Sequence, residues 1–132
     1  MRALLWDDAD RDELRREAEA FFDGRLRELA QVFVAEGDDG RALGFIELSI
    51  RTHGADGCKP PVPYVEGWYV VASARRRGVG RALMEAAEAW ARAEDYTELG
   101  SDALLDNEPS LRVHLRLGFE EIERLIKLRK TL

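Results

Sequence analysis

Three arginines followed by a glycine pair, Arg75-Arg76-Arg77-Gly78-Val79-Gly80, separate the apolar run Trp68-Tyr69-Val70-Val71 from a helical pattern that runs from Val79 to about Ala93. A strand that enters a glycine-containing turn at a helix N-terminus presents unpaired N–H groups in one concavity, with the positive end of the helix dipole behind them. Glycine removes a Cβ where an oxygen has to come close, and arginine adds charge-assisted contacts. Pyrophosphate binding fits such a turn, with the N–H groups of residues 76–81 as donors. A basic turn can equally be a solvated helix start or a nucleic-acid patch, and alone it leaves all three open. About thirty residues later come Asn107-Glu108-Pro109-Ser110 and then His114-Leu115-Arg116-Leu117-Gly118-Phe119.

Arg-x-x-Gly-x-Gly in this setting resembles the acetyl-CoA-binding motif of the GNAT acetyltransferases. Asn107-x-x-Ser110 followed by the Gly118-Phe119 segment resembles the second signature of that family, in the expected order and at the expected distance. The resemblance implies acetyl-CoA as co-substrate and no metal. Its contacts would come from Trp68, Tyr69 and Val70, from Arg75, Arg76, Arg77, Gly78, Val79, Gly80 and Arg81, and from Asn107, Ser110 and His114. More closely, Ser49-Ile50-Arg51, Asp56-Gly57-Cys58, Val65-Glu66-Gly67, Gly100-Ser101-Asp102, Val113-His114 and Gly118-Phe119-Glu120-Glu121 look like the bacterial aminoglycoside 6'-N-acetyltransferases. Gly54 departs from that pattern, standing where the family tends to carry a tyrosine near the substrate.

Acetylation of an amine requires removal of a proton from an ammonium group, a donor for the oxyanion and a proton for the departing thiolate. Glu66 is the best base candidate. Period-two geometry would place it on one face with Trp68 and Val70, looking into a cleft where the strand splays. From pattern alone it is just as readily a salt-bridged structural glutamate; the resemblance implies substrate contact. The same resemblance implies that Asp102 and Glu123 join Glu66 around an aminoglycoside with several ammonium groups, with Trp6 walling the sugar site. It also implies that His114 stands where many relatives have a tyrosine acting as general acid, although a histidine packed against Phe119 is the alternative. The backbone N–H of Val70 is the candidate oxyanion donor.

These residues need a scaffold, and the pattern supplies one. Residues 10–29 read as an amphipathic helix, residues 31–35 and 42–51 as a hairpin around Gly37-Asp38-Asp39-Gly40, and residues 52–63 as a loop. Residues 64–71 read as a strand, 97–101 as a short buried strand, 107–117 as a helix capped by Asn107, and 120–128 as a terminal strand. The expected fold is α/β and GNAT-like: a mixed, mostly antiparallel sheet flanked by helices, lacking the usual first strand.

With 132 residues and 45% apolar content the chain has room for one core, so residues 1–132 are expected to be a single domain. A net charge of −6 argues against general nucleic-acid binding and suits a small cationic amine. No apolar run is long enough to cross a membrane and the N-terminus is not a secretory signal, so a cytoplasmic location is expected. One cysteine, Cys58, excludes an intramolecular disulfide. A missing first strand and the habit of the resembling family imply a homodimer with residues 120–128 in its interface.

Overall fold

The computed structural model describes residues 2–5 and 29–132, so the expectations for Trp6 and for the helix up to residue 28 lie outside the described residues. The chain forms two compact units, Met1–Ser101 and Asp102–Leu132.

In the first unit β1 (Arg2–Leu5), β2 (Leu29–Glu36), β3 (Ala42–Arg51) and β4 (Val62–Val70) make an antiparallel sheet in chain order. The expected loss of the first strand is corrected: Arg2–Leu5 pairs with β2, from Arg2 opposite Glu36 to Leu5 opposite Phe33. Four residues without alternation carry no pattern of their own, and their pairing partner makes them a strand. The hairpin between β2 and β3 closes as expected around Gly37–Gly40, where the Gly40 N–H donates to the Gly37 carbonyl at 3.0 Å.

Helix α1 (Val79–Ala93) packs across all four strands. Val79, Leu83 and Ala87 are buried as the periodicity requires, and Met84 and Ala91 complete the stripe, whereas Ala86 and Trp90 are only half-buried. Beneath the helix lie Phe33, Ala35, Ile46 and Leu48, all buried. Each large aliphatic side chain removed from water here stabilises the fold by about 1.5–3 kcal/mol.

One irregularity in the sheet governs the rest. Glu47 lies opposite Gly67, yet Leu48 lies opposite Val65, so Glu66 is an extra residue in β4 and forms a β-bulge. Before the bulge Val65 and Pro63 oppose Leu48 and Ile50; after it Trp68 and Val70 oppose Ile46 and Gly44. The alternation of β4 therefore slips by one residue at Glu66.

The strand expected at 97–101 shrinks to a single parallel bridge between Tyr64 and Gly100, with Val65 N–H donating to Gly100 and Gly100 N–H donating to Pro63, both at 2.9 Å. Pro63 has no N–H to continue the ladder one way, and the bulge breaks its phase the other way. The loop from β3 to β4 is folded onto the sheet through Ala55, Cys58, Val62 and Tyr64, and the Lys59 N–H donates to Glu98 at 2.7 Å. Burial, with a smaller contribution from the charge of Glu98, pushes the Cys58 thiol above its ordinary range.

In the second unit, helix α2 (Glu108–Arg116) starts as expected at Asn107, whose side chain accepts from the Ser110 N–H at 3.2 Å. It ends at Gly118, with the Phe119 N–H returning to the His114 carbonyl at 3.0 Å. The terminal strand expected at 120–128 is not formed. A strand needs a partner ladder, and among the described residues none is hydrogen-bonded to this segment, which leaves Ile122, Leu125, Ile126 and Leu128 exposed. Arg124 hydrogen-bonds Glu121 three residues away and holds its carboxyl below the usual range.

Candidate active site

The bulge decides where Glu66 points. Its carboxylate accepts from Ser49 Oγ at 2.6 Å, from Arg51 Nε at 2.7 Å on Oε1, and from Arg51 Nη2 at 2.9 Å on Oε2. Ser49 and Arg51 alternate with Gly44, Ile46 and Leu48 along β3, so they lie on the sheet face away from α1. Glu66 shares that face. Trp68 does not: it packs against α1, where a Cβ on Gly80 would stand 3.4 Å from its ring. The expectation that Glu66, Trp68 and Val70 line one face is corrected, because period two does not survive a bulge.

The ladder with β3 orients the backbone of Val70. The Val71 N–H donates to the Leu43 carbonyl at 2.8 Å, which makes Leu43 and Val71 a hydrogen-bonded pair. Antiparallel ladders alternate, so the polar groups of Val70 point away from β3, toward the edge of the sheet. Its carbonyl accepts from Arg75 Nε at 3.1 Å on that side. Beyond the Tyr64–Gly100 bridge, no strand among the described residues pairs with this edge. The Val70 N–H thus has the direction an oxyanion donor needs.

From Val70 a short 3-10 turn, Ala72–Ala74, leads into the arginine turn. Arg76 adopts φ +63° and Gly78 φ +81°, and α1 begins at Val79. The first helical bond runs from the Ala82 N–H to the Gly78 carbonyl, and the N–H groups of residues 76–81 donate to no other backbone group among the described residues. Successive N–H groups around left-handed residues at a helix start form an anion nest, which is the geometry a pyrophosphate requires. The two glycines differ: Gly78 permits the left-handed turn, with open space where a Cβ would stand, while a Cβ on Gly80 would meet the Trp68 ring in ordinary contact at 3.4 Å. Arg76, Arg77 and Arg81 are exposed. The Arg75 side chain is turned back on Val70 and lies 5.9 Å from the centroid of the exposed Tyr69 ring.

Asp102, Asn107, Ser110, His114 and Glu123 all belong to the second unit. Asp102 and Glu123 are exposed, the latter in the irregular segment rather than in a strand. His114 is buried, with Nδ1 2.7 Å from the Ser110 carbonyl and its ring edge-on to Phe119 at 5.1 Å. A carbonyl can only accept, so Nδ1 is the donor in this contact and carries a proton. Ser110 is partly taken up by this local bonding, its Oγ lying 3.4 Å from the same nitrogen.

The alternation Glu47, Ser49, Arg51 in β3 was the available signal for the partners of Glu66, which the sequence reading used only as marks of resemblance. Glu47 is buried on that same face, opposite Gly67. Among the described residues no group of three His, Cys, Asp or Glu side chains is placed to hold a metal ion, and no helix is long and apolar enough to cross a membrane.

The profile of the acetyltransferase (GNAT) family matches residues 1–119. The chain is 46% identical to an aminoglycoside N(6')-acetyltransferase type 1 from Klebsiella aerogenes, over 100% of this chain and 87% of that protein. An aminoglycoside N-acetyltransferase, AAC(6')-Iy, solved in complex with CoA, superposes with a TM-score of 0.82 at 35% identity, over 98% of this chain and 99% of that one. The same enzyme with the bisubstrate analogue CoA-S-monomethyl-acetylneamine gives 0.73 at 37% identity, over 97% and 85%. The chain is therefore a member of the GNAT acetyltransferase family and groups within it with the aminoglycoside N(6')-acetyltransferases of type 1.

Proposed function

We propose that this protein transfers the acetyl group of acetyl-CoA to the 6'-amine of aminoglycosides such as kanamycin or tobramycin, and so confers resistance to them. The observation that carries the reading is the 46% identity to an aminoglycoside N(6')-acetyltransferase over the whole chain, together with a nest whose N–H groups suit a pyrophosphate. When bound, acetyl-CoA supplies an activated acetyl group. Residues 76–81 hold its pyrophosphate, with Trp68, Tyr69, Val70, Asn107 and Ser110 assigned to the rest of the molecule. The Val70 N–H meets the charge that develops on the carbonyl oxygen. Glu66, Asp102 and Glu123 pair with ammonium groups of the acceptor, and Glu66 takes up its proton directly or through water. His114 returns a proton through Nε2 to the leaving sulfur.

Both units are proposed to act as one enzyme domain, a reading supported by a family profile that runs through both. We further propose a cytoplasmic homodimer joined through residues 120–128, supported by the exposed Ile122, Leu125, Ile126 and Leu128. A screen of amine acceptors with a thiol-release readout tests the reaction. Release with aminoglycosides supports it; release with other amines alone removes the substrate and keeps the acetyltransferase. Light scattering at micromolar concentration tests the dimer, and a monodisperse monomer removes it.

A further inference from the structure

We infer that Arg51 is a positioning residue: it fixes the plane of the Glu66 carboxylate for the acceptor amine and couples that carboxylate to the loop at residues 52–61. The inference rests on the acetyltransferase reading above and adds a residue that the motifs leave without a task.

Arg51 is the last residue of β3, and every nitrogen of its guanidinium is engaged. Nε and Nη2 grip the two oxygens of Glu66 in a parallel fork, and Nη1 donates to the Gly54 carbonyl at 2.9 Å. The guanidinium carbon stands 3.6 Å from the centroid of the Tyr64 ring, so the plane of the cation is set from below as well. The side chains of Arg51 and Glu66 are 28% and 14% exposed, which shields the pair from much of the screening that weakens surface ion pairs. Ser49 adds a third bond, to Oε1.

A glutamate at a bulge has no ladder to orient it, and the terminal torsion of its carboxylate is broad and roughly two-fold. Neutralising its charge would need one cation of any shape. A bidentate fork does more, since it fixes both oxygens in one plane, and only arginine can provide it. Through Nη1 the same guanidinium ties the carboxylate to Gly54, where φ is +73°, so displacement of the loop is felt at Glu66. Misplacement of a group that meets the reacting amine lowers turnover steeply.

The test is a double-mutant cycle on the full chain, with acetyl-CoA and kanamycin, using wild type, Arg51→Gln, Arg51→Lys, Glu66→Gln and the pair Arg51→Gln with Glu66→Gln. Both single changes at Arg51 are expected to lower kcat/KM for kanamycin by about tenfold or more, while the KM for acetyl-CoA stays within about twofold. In the Glu66→Gln background, Arg51→Gln is expected to lower kcat/KM by less than about twofold further, because its target is already lost. Equal losses in the two backgrounds, or Arg51→Lys matching wild type, overturn the inference. Thermal unfolding of each variant separates a folding defect: a loss of activity that merely tracks a loss of folded protein overturns it too. Arg51→Lys, which keeps the charge, carries the test if Arg51→Gln does not fold. If wild type acetylates a different amine, the cycle is run with that amine and the aminoglycoside reading alone falls; a wild type that acetylates nothing overturns both.

Discussion

Glu66 lies inside one strand expected from the sequence and Asp102 just past the end of another, and the structure exposes them to different degrees. Glu66 sits in the first unit with its carboxylate held by Ser49 and Arg51. Asp102 opens the second unit and is exposed. The contrast extends to the units themselves. The first buries a full apolar layer between sheet and helix α1, whereas among residues 102–132 His114 alone is buried. Groups that must hold a fixed direction are placed on a packed sheet; the groups of the second unit rely on local bonds such as the Asn107 cap and the His114–Ser110 contact.

That contrast can be broken or sharpened by substitution. The largest effect is expected in the core of the first unit, where Leu83→Ala should cost about 2–5 kcal/mol in denaturant unfolding. A cost near zero would mean that α1 is not the keystone of the sheet. Next come the two acids. Glu66→Gln should lower kcat/KM for an aminoglycoside by roughly tenfold to a hundredfold with acetyl-CoA affinity unchanged, because it deletes both a charge and the partner of Arg51. Asp102→Asn should lower it less, by about tenfold at most, as befits an exposed acid whose charge is screened by solvent. A reversed order would show that burial does not make an acid more consequential.

Gly80→Asp is expected to raise the acetyl-CoA dissociation constant about tenfold, since it sets a carboxylate against the phosphates and a Cβ against Trp68. Isothermal titration reads it directly. Smaller still, Cys58 should react with iodoacetamide a few-fold more slowly than a free thiol at pH 8, approaching it as the pH climbs. The sign follows from a raised thiol pKa: the folded state holds its proton where an unfolded cysteine begins to lose it, so the related stability is intact below the ordinary thiol range and is lost above it. A native thiol that reacts faster would contradict the burial. The smallest change is expected in the tail, where Leu128→Ala should alter unfolding by less than about 0.5 kcal/mol at concentrations that hold the chain monomeric.

The sequence was most readable where chemistry and local geometry coincide. The arginine turn, the start of α1 at Val79, the Asn107 cap and the hairpin at Gly37–Gly40 all depend on residues within a few positions of one another. What stayed hidden depends on register. Nothing in Val65-Glu66-Gly67 announces an extra residue, since a bulge is a relation between β4 and β3 rather than a property of β4. The brief parallel bridge at Gly100 and the unpaired segment at 120–128 are misread for the same reason: apolar content promises a strand, but partners decide whether one forms. The first strand was overlooked because its four residues acquire meaning only beside β2.

The bulge at Glu66 also has a bearing on how this chain can vary. A strand in perfect register would keep one parity along its whole length, so any side chain aimed at the far face would bind its neighbours' backbone groups to a fixed orientation as well. By slipping one residue, β4 gives its two halves independent phases: the half with Val65 docks the loop and the bridge, and the half with Trp68 and Val70 serves α1 and the open edge. Removing Glu66 would leave Val65 opposite Leu48, Gly67 opposite Glu47 and Val70 opposite Gly44 in an unbroken ladder, and would take away only the residue whose carboxylate Ser49 and Arg51 hold. The extra residue therefore serves the carboxylate rather than the ladder, and its loss is expected to spare the sheet while abolishing the clamp.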